Sequence, residues 1–206
     1  MSNKQLDPSV CNVTVAPGSA VCIEGDYVGE ITFGAKCVVH PKARIIAEAG
    51  PIIIGESNLI EEQAQIINRF PPGSDTSRPH TLIIGQSNVF EVDCCVEADA
   101  VGDNNVFESK SHVGRGVTIG KGCVVGSLCS LTCPQVLSDH TVVYGSDHKR
   151  RQLQERPPAQ SLQLDFLNKV LPNYHYLVKP KKRTPPSAAA VMSQSVTAEE
   201  NARPVS

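Results

Sequence analysis

Apolar residues recur at every sixth position over residues 101–143: Val101, Phe107, Val113, Ile119, Val125, Leu131, Leu137 and Val143. A period of six fits neither a helix, at 3.6, nor a strand, at 2. It predicts a hexapeptide parallel β-helix, in which each hexad supplies one short strand and one corner of a triangular prism. The large residue points inward. The glycine that follows it in Val113-Gly114, Ile119-Gly120 and Val125-Gly126 is expected to relieve the sharp turn.

The same register runs upstream through Val15, Val21, Tyr27, Phe33, Val39 and Ile45. Three extra residues around Gly50-Pro51 delay it to Ile54, Ile60 and Ile66. A Pro-, Ser- and Gly-rich stretch within residues 68–82 then interrupts it and predicts an excursion loop from a corner. It resumes at Ile84, Phe90 and Val96 and loses one residue before Val101. Twenty large positions on three faces give about seven coils, all-β, in a prism about 33 Å long. The fourth residue after each large one also points inward and must be small. Cys37, Cys94, Cys123 and Cys129 fall there, with Ser19, Ala43, Ala49, Ala64, Ala100 and Ser111.

Reading every coil against the next shows what stacks. Asn58, Asn88 and Asn105 are expected to form an inward corner ladder whose amides bond along the axis, a structural role. Beside them Ala20, Val38, Leu59, Val89, Val106, Val124 and Val142 make one outward apolar stripe. Such a stripe normally has a cover: the chain's own C-terminal helix, a protein partner, or both in turn. Glu61, Glu91 and Glu108 stack next to it as an acidic ladder, either solvated or met by a basic partner.

After Gly145 the period stops. Residues 1–148 therefore read as the β-helix and 149–178 as a linker with an amphipathic helix. Residues 179–206 read as a disordered basic tail. Ser161 is placed to cap the helix, Leu162, Phe166, Leu167, Val170 and Leu171 form its apolar face, and Pro172 ends it. Tyr174 to Leu177 are placed to pin the chain beyond the helix. Thr184-Pro185, after Lys181-Lys182-Arg183, suits a proline-directed kinase, which makes Thr184 a candidate phosphosite. A nuclear-targeting signal or a solvated linker is the other reading of that basic run.

Composition narrows the chemistry. Tryptophan is absent and aromatics make up 4%, so the core is aliphatic. The eight cysteines match no paired zinc pattern and read as reduced, small core residues. Residues 1–148 carry a formal charge of −8 and residues 149–206 one of +6, which argues against nucleic-acid binding by the body. No apolar run approaches the ~20 residues that span a bilayer. None of His40, His80, His112, His140, His148 and His175 stands five residues from another, as the zinc set of a gamma-class carbonic anhydrase requires. For a hexapeptide acyltransferase, His80 in the excursion loop is the one candidate base. No metal or cofactor is expected, and the alternative to a binding protein is a trimeric hexapeptide enzyme.

Long segments carry a resemblance more specific than the period. They include His40-Pro41-Lys42-Ala43-Arg44-Ile45-Ile46-Ala47-Glu48-Ala49-Gly50-Pro51, Asn58-Leu59-Ile60-Glu61-Glu62-Gln63-Ala64 and Asn88-Val89-Phe90-Glu91-Val92. Gly102-Asp103-Asn104-Asn105-Val106, Leu162-Gln163-Leu164-Asp165-Phe166-Leu167 and Leu171-Pro172-Asn173-Tyr174-His175 continue it. In these the chain resembles the dynactin subunit six family, small hexapeptide-repeat subunits of the dynactin pointed-end complex. The excursion loop and the segment after Leu177 depart from the family pattern. The resemblance implies a left-handed β-helix, an exception to the usual right-handed crossover. It further implies a non-catalytic scaffold beside a larger hexapeptide-repeat sister subunit, a p62-type subunit and an actin-related protein. Dynein and cargo adaptors are then indirect partners. The expected place is the cytoplasm and cytoskeleton, with kinetochore or centrosome as further sites.

Overall fold

The computed structural model describes residues 11–70, 73, 79–155, 157 and 160–179. Short parallel strands stack in rows on three faces and wind a left-handed β-helix of about seven coils. One face holds Ala20–Val21, Val38–Val39, Leu59–Ile60, Val89–Phe90, Val106–Phe107, Val124–Val125 and Thr141–Tyr144, paired in that order. The second stacks Asp26, Arg44, Gln65, Cys95, His112 and Ser130. The third stacks Thr14, Thr32, Ile53, Ile83, Ala100, Thr118 and Val136. Strands Asp26–Phe33 and Arg44–Ile54 bend around the corner between these last two faces and join them into one sheet.

Of the large six-residue positions, Tyr27 is half-buried and every other one is at most 3% exposed. Tyr27 keeps its hydroxyl at a polar partner, donating to the Cys22 carbonyl at 2.7 Å. Phe90 and Phe107 stack on neighbouring coils, centroids 4.9 Å apart. Among the small positions, Cys37, Cys94, Cys123, Cys129, Ala43, Ala49, Ala64 and Ser111 are buried. Burial pushes the Cys37 thiol up to about 11 and Cys94 higher still, which leaves both as protonated packing groups. Ala100 is a correction. The residue lost before Val101 moves it onto the outward row, opposite Ile83 and Thr118, and Ala98 fills the core instead.

The glycines also need a different reason from the one the period suggests. Gly34, Gly55, Gly85, Gly102 and Gly120 form a column in which a Cβ would meet the next coil's backbone or a side chain within 2.7 Å. They are there for close stacking. Positive φ falls elsewhere, two residues before each outward position, on Lys36, Ser57, Ser87 and Asn104 and on Lys42, Gln63, Asp93 and Lys110. These residues carry corners of the prism in the left-handed region at φ of 57° to 61°.

The two irregularities of the period meet in space. The extra residues near Gly50 are absorbed within strand Arg44–Ile54, opposite a register shift between Gly29 and Ile31. Where the excursion returns, His80 N–H donates to the Ala49 carbonyl at 2.8 Å. The Asn68 amide bridges the Gly50 and His80 carbonyls at 3.0 and 2.7 Å, closing the base of the loop.

At the far end Lys149–Gln152 folds back antiparallel on Thr141–Tyr144, so the boundary expected at 148 falls inside a hairpin turn. The C-terminal helix spans Ser161–Val170. Ser161 is its first helical residue rather than its cap, and Gln160 at the cap position makes no side-chain bond. Pro172 lies in the 3-10 turn Leu171–Asn173 that ends it. The chain then pairs with the first coil: Ile23 N–H donates to the Tyr176 carbonyl and Val178 N–H to the Val21 carbonyl.

Candidate interaction surface

The seven stripe residues, Ala20 to Val142, are register partners along one face. Leu164 and Leu171 pack with Ala20, Cys22, Val38, Leu59 and Val89 in one apolar cluster, against which Val106, Leu167 and Leu177 also lie. The chain thus covers its own stripe from Ala20 to Val106. Burying Leu164 and Leu171 stabilises this docking by about 2 kcal/mol each. Val124 and Val142 lie beyond the helix. With Glu108, Tyr144 and Arg151 they line a shallow groove of about 350 Å³.

The helix uses only part of the face expected of it: Leu167 and Leu171 dock as expected, while Leu162 and Phe166 do not. Leu164, Leu167 and Leu171, spaced by three and four, turn inward. Leu162 and Phe166 point to solvent at 85% and 62% exposure, and Val170 is half-buried. The helix is apolar on two sides. Antiparallel pairing of residues 176–178 with 21–23 fixes how the chain returns, and that selects the Leu164 side.

The acidic ladder is mostly internal architecture. Glu91 Oε2 accepts from the Ser109 N–H and hydroxyl, both at 2.9 Å. Glu108 Oε2 accepts from the Ser127 N–H at 2.9 Å and its hydroxyl at 3.1 Å. At Glu61 burial and then the Glu91 charge raise the pKa, and the nearby Val92 N–H acts against them. Glu91 and Glu108 therefore bond the main chain one coil on, which offsets the repulsion along the ladder.

The asparagine ladder is fully buried. The Asn58 amide donates to the Gly55 and Gly85 carbonyls, both at 2.9 Å. Asn58 Oδ1 accepts from Asn88, Asn88 Oδ1 from the Asn105 N–H, and Asn105 Oδ1 from the Cys123 N–H. Side chain to main chain is thus the commoner link, and side chain to side chain occurs once in this run.

One row is not anticipated by the sequence reading. On the third face Thr14, Thr32, Ile53, Ile83, Ala100, Thr118 and Val136 stack without a charge among them. Ile53, Ile83 and Val136 are 43%, 56% and 73% exposed. The middle residue of each hexad on this face, stacked coil on coil, is the signal that finds it. By contrast the second face is polar, with Arg44 paired to Asp26 at 3.2 Å. His80 is exposed and its Nε2 lies 3.0 Å from the Asp99 carbonyl; His40 Nδ1 lies 3.1 Å from Glu62. Thr184 with the rest of the basic tail beyond residue 179, and residues 71, 72 and 74–78 of the excursion, lie outside the described residues.

Stacked glycines, buried hexad residues and a corner ladder define a hexapeptide-repeat β-helix protein. Solved structures agree in fold. A hexapeptide transferase family protein from Anaplasma phagocytophilum matches at a TM-score of 0.58 and 14% identity, over 79% of this chain and 88% of its own. That identity speaks to fold alone. No family model matches. Dynactin subunit 6 of Danio rerio is 57% identical over 175 residues, 83% of this chain and 90% of that protein. The Xenopus tropicalis protein of that name is 55% identical over 88% and 91%, and the Caenorhabditis elegans one 33% identical over 86% and 95%. The chain belongs to the dynactin subunit 6 family.

Proposed function

We propose that this chain is a non-catalytic scaffold subunit of dynactin's pointed-end complex, supporting dynein-driven transport and cargo selection. Its direct partners in this reading are the larger hexapeptide-repeat sister, the p62-type subunit and the actin-related protein, with dynein and cargo adaptors reached through them. Its place is the cytoplasm and cytoskeleton. The observation that carries the reading is the uncharged third-face row. Ile53, Ile83 and Val136 stand exposed on a flat parallel sheet, uncovered by any described residue. An uncharged row that carries three exposed aliphatic side chains among threonines and an alanine supports a protein-binding face. Family membership says which assembly supplies the partner. The one C-terminal helix among the described residues is already spent on the other apolar face.

Recovery of the tagged full chain from cytosol tests this. Co-purification of dynactin components at stoichiometric amounts is expected. A homotrimer that recovers none of them and retains an acyl donor overturns it.

A further inference from the structure

The last described residues meet the first coil of the prism. Cys22 and Leu177 face each other in an antiparallel bridge, flanked by the Ile23–Tyr176 and Val21–Val178 hydrogen bonds. The bridge brings His175 opposite Glu24, which lies two residues beyond Cys22 in the turn that follows Val21. One thiol sulfur, one carboxylate oxygen and one imidazole nitrogen of these residues all lie within 4.8 Å of one another. His175 Nδ1 is 3.3 Å from Glu24 Oε1.

We infer that Cys22, Glu24 and His175 form a site for a divalent cation of the zinc class, which clips the C-terminal segment to the first coil.

The donor set suits that ion. Zinc takes thiolate, imidazole and carboxylate at roughly 2.0–2.3 Å in tetrahedral geometry, which puts ligand atoms roughly 3.3–3.6 Å apart. The His175–Glu24 pair already has that spacing, and the thiol, within 4.8 Å of both, needs a movement of roughly 1.2 Å at most. Glu24 and Glu62 are each paired to a histidine, not to lysine or arginine. A bound cation supplies the positive charge this cluster lacks. Cys22 then releases its proton to solvent and binds as thiolate. The fourth position is left to water.

The consequence reaches the apolar stripe. The helix Ser161–Val170 is strung between the hairpin strand Lys149–Gln152 and the pinned segment. Metal at Cys22 tightens the downstream anchor and so favours the covered stripe.

The test uses the full chain after chelator treatment, titrated with cobalt(II). A stoichiometric thiolate-to-cobalt charge-transfer band with tetrahedral visible bands is expected. His175→Asn and Glu24→Gln, both outside the core, are expected to weaken binding at least tenfold. Zinc is expected to slow amide exchange at Ile23 and Val178 in the parent chain and not in these variants. No band, or a band undiminished in both variants, overturns the site. Unchanged exchange at Ile23 and Val178 with metal bound overturns the clip.

Discussion

Asn88 donates twice to one atom: its main-chain N–H and its side-chain amide both reach Oδ1 of Asn58, at 2.9 and 3.0 Å. Asn58 in turn donates to two carbonyls from successive coils, so one side chain ties together the corner from Gly55 to Asn88. Asn105 does less. Its oxygen accepts from Cys123, while its buried amide nitrogen has no partner. Asn58→Ala removes four hydrogen bonds, two of them from the fully buried Asn88, and is expected to cost about 3 kcal/mol, whereas Asn105→Ala is expected to cost about 1–2 kcal/mol. Urea unfolding of both variants checks the order. Equal losses would mean that the corner is held by packing and not by the amides.

The corner ladder also shows what the sequence makes legible and what it does not. Stacking follows from the six-residue period alone, so Asn58, Asn88 and Asn105 can be aligned from spacing. Their bonding cannot, because whether Oδ1 meets an amide or a main-chain N–H depends on sub-ångström rotation of each coil. The period misplaces Ala100 because the missing residue falls within its own hexad and turns it outward before the register restarts at Val101. Spacing misreads the helix face because Leu162 and Phe166 satisfy a helical period as well as Leu164 does. What decides between them is pairing between the first coil and the segment beyond the helix, far apart in the chain. Glu91 and Glu108 read as a charged surface because the serines that hold them, Ser109 and Ser127, belong to the next coil.

Two leucine-spaced sides of one helix should behave differently. Leu164→Ala removes a side chain that is 5% exposed and is expected to destabilise helix docking by about 2–3 kcal/mol. Phe166→Ala, at 62% exposure, is expected to change stability by less than about 0.5 kcal/mol. Amide exchange at Ile23 and Val178, which bond across the docked segment, separates the two. Fast exchange in Leu164→Ala and parent-like exchange in Phe166→Ala is the expected result. The reverse order would return the helix to the face its spacing suggests.

Placing a charge on the uncovered row separates folding from binding. Ile83→Glu points its carboxylate to solvent from the third face, so the melting temperature is expected to stay within a few degrees of the parent. Recovery of dynactin components from cytosol is expected to fall at least tenfold. Val124→Glu, at the open end of the stripe, probes the groove beside Tyr144 and Arg151 in the same assay. Full recovery with Ile83→Glu would remove the third face from the interface. Loss with Val124→Glu alone would move the interface to the groove.

Glu61 gives stability a pH dependence of known sign. Burial, then the Glu91 charge, raises its pKa, so the folded chain holds this proton more tightly than the unfolded chain does. Its stabilising contribution is therefore complete below the unfolded carboxylate pKa, about 4.3. It is lost as pH rises through the raised folded value. Glu61→Gln keeps an oxygen for the Val92 N–H and removes the charge. The variant is expected to be the more stable protein at pH 7, with the advantage shrinking to nothing as pH falls below about 4. Because the comparison is variant against parent at each pH, carboxylates remote from Glu61 cancel, while Glu91 and Glu62, which interact with it, titrate with it as a group. Parallel unfolding midpoints from neutral to acid pH would show that the Val92 hydrogen bond fully compensates the burial of this charge. The acidic ladder would then carry no net electrostatic strain at its inner end.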